Sequence, residues 1–295
     1  MPPSRKEPAN SALLGKLKEK GAEIIIVKGL NPSLQRNQGV KASTGEVIYF
    51  LDEDSFPSLE NLEMIRNEFG KSGTDILGGP SVIPDEGGTL EEVFYNIFST
   101  NLVVGRLASR YKERGKRRRT DEGELILCNM AVRRSLFDDL GGFAEDLYPN
   151  EENEFIQRAL KKKANVIYEP SFTVKKTLDI KAGEFIALLL KYGRGRGMQT
   201  RRYFKTTNIL KLAPVLFIPV IAVSLIVKPL EYIFDLYLIY LLALSMVLSG
   251  WSFLTFFHYL LFIPATHMFY GLGILAGLFS KAKRAMSTET EMIRM

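Results

Sequence analysis

The stretch EVIYFLDEDSFP, Glu46 to Pro57, decides how the rest of the chain is read. Val47 to Leu51 is an unbroken apolar and aromatic run of strand character. It is apolar on both faces, which predicts a central place in a parallel sheet. The run ends in three consecutive acids, Asp52, Glu53 and Asp54. Like charges this close repel, and two arrangements offset that: a solvated turn or a bound cation. In an open α/β sheet, ligands sit at the C-terminal ends of strands, and the acids lie at such an end.

The flanking sequence alternates between strand and helix patterns. Gly21 to Gly29 is a short strand bounded by glycines. Asn31 to Thr44 opens with a capping residue followed by Pro32, and is expected to be a helix ending before Gly45. Leu59, Leu62, Ile65 and Phe69 recur at helical spacing. DILGGPSVI, ending at Ile83, is expected to be a strand. Glu91 to Ser109 is a further helix, and Tyr111 to Gly123 a charged loop expected to be mobile. ELILCNMAV is a strand, RRSLFDDLGGF a helix start stopped by two glycines, and NEENEFIQRALKKKA a helix with an acidic first turn that suits its dipole. NVIYEPS is a strand closed by Pro170. The order predicts a layered α/β fold.

Hydrophobic residues make up 46% of the 295 and charged residues 24%, a globular average that hides a strong asymmetry. No Asp, Glu, Lys or Arg occurs from Leu212 to Val227 or from Leu236 to Ser280. A membrane-crossing helix needs roughly 20 mostly apolar residues, so the C-terminal third is expected to be a membrane region. Ile209–Val227 is expected to be one span. Leu236–Ser280 is too long for one, and a re-entrant or interfacial piece is expected around Pro264.

The formal charge of +6 is also uneven. Arg106 to Arg119 holds eight basic residues and one acid, and Lys175 to Lys205 holds nine and two. The second cluster stands before the apolar region, where positive charge favours the cytoplasmic side and anionic lipid. Neither cluster has a helix-turn-helix or zinc pattern, so no nucleic-acid partner is expected. The first twenty residues hold no apolar leader, and one cysteine, Cys128, excludes an intrachain disulfide. Both suit a cytosolic soluble part. Cys128 is expected in the core, and His258 and His267 are expected to pack rather than bind metal.

SLQRNQGVKASTGEVIYFLDEDS resembles the segment leading into the Asp-x-Asp motif of family 2 glycosyltransferases, the inverting GT-A type. AVRRSLFDDLGGFAEDLYPNEENEFIQRALKKKANVIYEPS resembles the acceptor-side segment of that family, and KYGRGRG before apolar helices resembles the juxtamembrane segment of its membrane-bound members. The resemblance covers about Gly21 to Gly197. It implies a GT-A mixed sheet with helices on both faces, followed by C-terminal transmembrane helices. It further implies a nucleotide-diphosphate sugar donor and Mg2+ or Mn2+.

On this resemblance Asp54 is a metal ligand, and Asp52 touches the donor and the metal. Glu53 points to the other face if the strand geometry persists. Glu152 matches the catalytic base, where the family more often has Asp, and Glu151 and Arg158 lie on the acceptor side. Arg36 and Asn37 match the Arg-Asn pair ahead of the metal motif and are expected on the donor side, Arg36 pairing a phosphate or the acidic motif, and Gly79 ends a strand near the donor. From the residues alone, the alternative for the acids of 151–154 is a helix start stabilised by its dipole, with Arg158 an intrahelical partner. A plain turn accounts equally for Gly79.

Two departures stand out. The first strands of the family, which hold the base and ribose, have no counterpart here, so weak binding of donor nucleotide is expected. Lys176 falls near a position where the family often has His. The expected organisation is a GT-A domain at 1–180, a basic juxtamembrane segment at 181–208, apolar helices at 209–281 and a polar tail at 282–295. The expected function is an integral membrane glycosyltransferase with its catalytic domain in the cytoplasm, acting on a lipid-linked saccharide or other cell-envelope glycan. Transfer to a polyprenyl phosphate, or a catalytically silent membrane-bound fragment or scaffold, are the alternatives. No Gln-x-x-Arg-Trp pattern of a processive synthase is present.

Overall fold

A computed structural model describes residues 11–71, 73–83, 89–178, 180–204, 212–280 and 290–294. The start of the expected first span at Ile209, its flank at Lys205 and most of the polar tail lie outside the described residues. The chain forms two compact units. One comprises Met1–Asp85, Gly105–Thr177 and Lys283–Met295, the other Glu86–Val104 and Leu178–Ala282.

In the first unit α1 (Ser11–Glu19) precedes β1 (Ile25–Lys28), and α2 (Pro32–Ala42) follows. The Asn31 side chain accepts from the Ser33 and Leu34 amides, and Pro32 occupies the first turn, where no amide donor is needed. Then come β2 (Val47–Phe50), β3 (Phe56–Pro57), α3 (Leu59–Lys71), β4 (Ile76–Gly78) and β5 (Ser81–Val82). The single strand expected in DILGGPSVI is therefore two, which enter different sheets.

The helix expected over Glu91–Ser109 is also broken. It forms α4 (Thr89–Phe98), α5 (Asn101–Val104) and a 3-10 turn at Gly105–Arg110, and α4 and α5 belong to the second unit. The first unit resumes with β6 (Arg118–Arg119), β7 (Met130–Arg133), α6 (Arg134–Leu140), α7 (Glu151–Lys161), β8 (Val166–Tyr168) and β9 (Val174–Lys175).

The main sheet has the order β2-β7-β4-β8-β6 and is mixed: β4 and β8 run parallel, and the other pairings are antiparallel. β2 is thus an end strand paired antiparallel to β7, not a central parallel one. Its two apolar faces have a different cause, because helices cover both sides of the sheet. Ile76, Met130, Val132, Val166 and Tyr168 point to one side and pack with Val40, Phe137, Phe155 and Ile156 from α2, α6 and α7. Their neighbours Leu77, Ala131 and Ile167 point to the other, against Ile65 and Phe69 of α3. Phe50, Phe137, Phe143 and Phe155 meet ring to ring at 5.0–5.8 Å, each pair adding about 1 kcal/mol beyond its buried area.

The segment expected to be a mobile charged loop is built into this unit. β6 adds an edge to β8, and the Arg118 guanidinium lies 4.3 Å from the Tyr168 ring centroid. Arg118 also bonds Glu124 at 2.7 Å. Cation–π contact and ion pairing order a stretch that has no apolar periodicity to reveal it.

The second unit continues with α8 (Ala182–Arg202), α9 (Ala213–Ile226), α10 (Glu231–Ser249) and α11 (Phe253–Phe279). Phe94 of α4 stacks on Phe185 of α8 at 4.1 Å and meets Phe262 of α11 edge-on at 4.9 Å. Two helices, Lys228–Ser249 and Phe253–Phe279, are long and apolar enough to cross a membrane, while α9 has 14 residues. The break between α10 and α11 falls at Gly250 and Trp251, both at positive φ. Pro264 lies inside continuous α11, so no re-entrant turn occurs there. His267 packs as expected, its ring nitrogens 3.2 Å from the Tyr237 hydroxyl and 3.3 Å from the Val103 carbonyl.

Candidate functional site

β2 alternates strictly: Ile48 and Phe50 face α2, α6 and α7, while Val47 and Tyr49 face α3. Carried two residues further, the pleat turns Asp52 toward the α2 and α7 side. There Arg36 of α2 donates from Nη2 to Asp52 Oδ1 and from Nη1 to Glu151 Oε1, both at 2.8 Å. One guanidinium thereby joins the two constellations that the sequence keeps apart. Glu53 is exposed.

The acids carry a second cation. Lys176 Nζ lies 2.7 Å from Asp52 Oδ2 and 2.9 Å from Asp54 Oδ1. Backbone pairing puts it there. β3 and β9 pair with Phe56 opposite Lys175 and Pro57 opposite Val174, so Lys176 comes beside the residues just before β3. The Lys176 amide also donates to Val82 O at 2.9 Å.

A buried polar set anchors the same stretch. Asn61 donates to Thr173 O at 2.8 Å and to the Tyr49 hydroxyl at 3.0 Å, and that hydroxyl donates to Asn129 at 2.7 Å. Asn129 in turn donates to Pro80 O at 3.2 Å and to Phe172 O.

Burial alone would raise Asp52, but Lys176 and Arg36 outweigh it and hold the carboxyl below its ordinary value. Burial likewise opposes charge on Lys176 and Arg36, and the facing carboxylates more than compensate, raising both. Cys128 is buried as expected, and burial pushes its thiol up to about 11.

The first turn of α7 is buried at Glu151, Glu152, Asn153 and Glu154. A helix dipole supplies too little for three buried acids, and each acid faces an arginine. Glu151 has Arg36, Glu152 has Arg110 at 3.5 Å, and Glu154 has Arg158 at 2.7 Å. Arg110 also donates to Asn153 Oδ1 and to Glu122 O. Glu152 Oε1 accepts from Asn153 Nδ2 at 3.2 Å. Glu151 Oε2 is buried with no hydrogen-bond partner. Burial, then the charge of Glu152, raises the Glu151 carboxyl to about 7 against the pull of Arg36.

The other expected site residues are placed by the chain itself. Asn37 donates to Phe143 O at 3.0 Å and Glu145 Oε1 at 3.1 Å and accepts from the Phe143 amide at 2.9 Å, fixing the loop ahead of α7. Arg158 donates to Gly142 O at 2.7 Å and to Leu140 O, locking the Gly141–Gly142 turn, whose glycines sit at φ 74° and 77°. Gly79 is small because backbone passes it: an added Cβ would lie 2.0 Å from Phe172 O and 2.6 Å from Glu169 O. Arg110 and the contacts of Lys176 were missed. Positive charge is the only sequence signal of Arg110, the position of Lys176 near a family His gives no hint of its partners, and neither lies near Asp52 in the chain.

Asp52 and Asp54 offer oxygen ligands converging on one cationic point, now filled by Lys176 Nζ, and this donor set fits a hard divalent cation. Among the described residues no group of three or more His, Cys, Asp or Glu is arranged to hold a metal, so the rest of such a cation's shell would come from water or phosphate.

A mixed sheet covered by helices on both faces, with an acid-ended strand meeting an acidic helix start, defines a GT-A type fold. Residues 11–141 match the sequence model of glycosyl transferase family 2. Among solved structures, the mannosyltransferase PcManGT from Pyrobaculum calidifontis, in complex with GDP-Man and Mn2+, is similar at 13% identity and a TM-score of 0.48. The match covers 84% of this chain and spans 66% of the length of that one. No curated protein sequence matches.

Proposed function

We propose that this chain transfers a sugar, with inversion, from a nucleotide-diphosphate donor to a lipid-linked or cell-envelope acceptor. The observation that carries this reading is the Arg36 bridge, which brings Asp52 at the end of β2 and Glu151 at the start of α7 into one site. The match of residues 11–141 to the family 2 model supports it.

In this reading Asp54 and Asp52 would hold Mg2+ or Mn2+, which would offset negative charge on the leaving diphosphate. Glu152 takes the proton of the acceptor hydroxyl. One carboxylate base suits a single displacement, which inverts the anomeric carbon. Arg36 orients Asp52 and Glu151 against each other, and Asn37 and Arg158 fix the turn and loop ahead of α7. The apolar helices keep the enzyme at the membrane, with its basic flank and catalytic unit on the cytoplasmic side. An acceptor on a polyprenyl carrier, as saccharide or as bare phosphate, suits that location.

The test uses the full chain in detergent with labelled uridine- and guanosine-diphosphate sugars and polyprenyl-linked acceptors. Asp54→Asn and Glu152→Gln are each expected to lower transfer by about 100-fold or more. Transfer unchanged in both variants would refute the assignment.

A further inference from the structure

Lys176 is held at the acid pair by design of the backbone, not by chance of a long side chain. Its amide is bonded to Val82 O, and the register of β3 and β9 places it beside Asp54. Its Nζ takes one oxygen from each carboxylate, Asp52 Oδ2 and Asp54 Oδ1, while Arg36 takes Asp52 Oδ1. A divalent cation coordinates carboxylate oxygen at about 2.0–2.6 Å. A metal on the same two oxygens would therefore stand within a few ångström of the ammonium, where like charges repel strongly. Lys176 and Arg36 offset part of the negative charge of Asp52, Asp54 and Glu151, which weakens the pull on a dication. The site still opens to solvent: the Asp54 side chain is 48% exposed and that of Lys176 25%. The lysine arm is flexible and partly exposed, and a diphosphate supplies oxygens to receive it.

We propose that Lys176 is a tethered counter-cation that closes the Asp52–Asp54 position to free divalent metal and yields it when a nucleoside diphosphate arrives to take the ammonium. This rests on the metal role given above to Asp54. Metal and diphosphate then bind together rather than independently, because the phosphate both completes the metal shell and removes the competitor.

The experiment measures Mn2+ binding to the full chain in detergent by electron paramagnetic resonance of the free ion, with and without uridine or guanosine diphosphate. Lys176→Met is expected to bind Mn2+ alone at least about tenfold tighter than the native chain, because one positive charge beside the metal is gone. Lys176→Arg, which keeps the charge, is expected to stay within about threefold of native. The diphosphate is expected to tighten Mn2+ binding far more in the native chain than in Lys176→Met. Circular dichroism of each variant confirms folding, and Lys176→Gln serves if Lys176→Met does not fold. Equal Mn2+ affinity in the native chain and Lys176→Met, abolished in both by adding Asp54→Asn, would overturn the competition while leaving the metal site standing. Mn2+ bound by neither protein, with or without diphosphate, would overturn both.

Discussion

Arg36 donates to Glu151 at 2.8 Å and so ties α2 to the first turn of α7, with Glu151 almost fully buried at the far end of the bond. Removing one partner of such a pair leaves a buried charge without compensation. At pH 8, where the Glu151 carboxyl is ionised, Arg36→Gln is expected to destabilise the fold by about 3 kcal/mol. Arg36→Lys cannot reach two carboxylates with one planar fork and should fall between. Denaturant unfolding of the full chain in detergent, followed by far-ultraviolet circular dichroism, measures both. Coincident midpoints for Arg36→Gln and the native chain would show that neither acid depends on the guanidinium.

The Glu151 carboxyl has its own consequence for pH. It sits at about 7 in the folded chain against 4.5 when unperturbed. Between those values the folded state holds a proton that the unfolded state has released. The contribution of this one carboxyl to stability is therefore greatest below 4.5, declines between 4.5 and about 7, and is level above. Glu151→Gln abolishes this contribution. Its stability relative to the native chain is expected to rise by about 1–3 kcal/mol between pH 5 and pH 8. Parallel pH profiles for the two proteins would rule the carboxyl out as the source.

How far the fold was legible depends on whether its cause is local. The α2 cap at Asn31 and Pro32 and the α3 stripe of Ile65 and Phe69 are local, and each was visible in the sequence. So was the run of acids at the end of β2. The place of β2 was not, because its partner β7 pairs from far along the chain and the second apolar face comes from α3 rather than from flanking parallel strands. Lys176 reaches the acids through the β3–β9 register, and Arg110 reaches Asn153 from within a basic run that carries no periodicity. Gly79 was noticed for its size, and the backbone of Phe172 and Glu169 lies where a Cβ would stand. Charge and size were legible; the partners that give them meaning are set by long-range pairing.

In the second unit α8 and α11 meet through glycines. An added Cβ on Gly197 would stand 2.1 Å from Ile274 O and 2.8 Å from the Gly277 Cα, both backbone atoms that cannot step aside. Close helix contact through small residues is lost when either gains a branched side chain. Gly197→Val is expected to cost at least about 2 kcal/mol and to speed proteolysis of the detergent-solubilised chain. Gly183→Ala on the same helix, with no atom within 4 Å of the new Cβ, is the control. It is expected to be neutral or to stabilise by up to about 1 kcal/mol. Equal proteolysis rates for the two variants would mean that the glycine contact does not hold the helices.

Gly79 separates a packing role from a donor-binding one. If its smallness served a sugar, Gly79→Ala would weaken donor use and leave the fold intact. The backbone at Phe172 and Glu169 predicts the reverse order of effects, since the new methyl would sit 2.0 Å from one carbonyl oxygen and 2.6 Å from another. The strand must shift or the turn after β8 must open, and Asn129, which donates to Phe172 O, would lose its acceptor. Overpacking against backbone costs about 3 kcal/mol or more. The expected outcome is a lowered unfolding midpoint in the absence of any nucleotide. The same opening would loosen β9 and with it Lys176, so Gly79→Ala is also expected to bind Mn2+ more tightly than the native chain. A native midpoint with impaired donor binding would return Gly79 to the donor site.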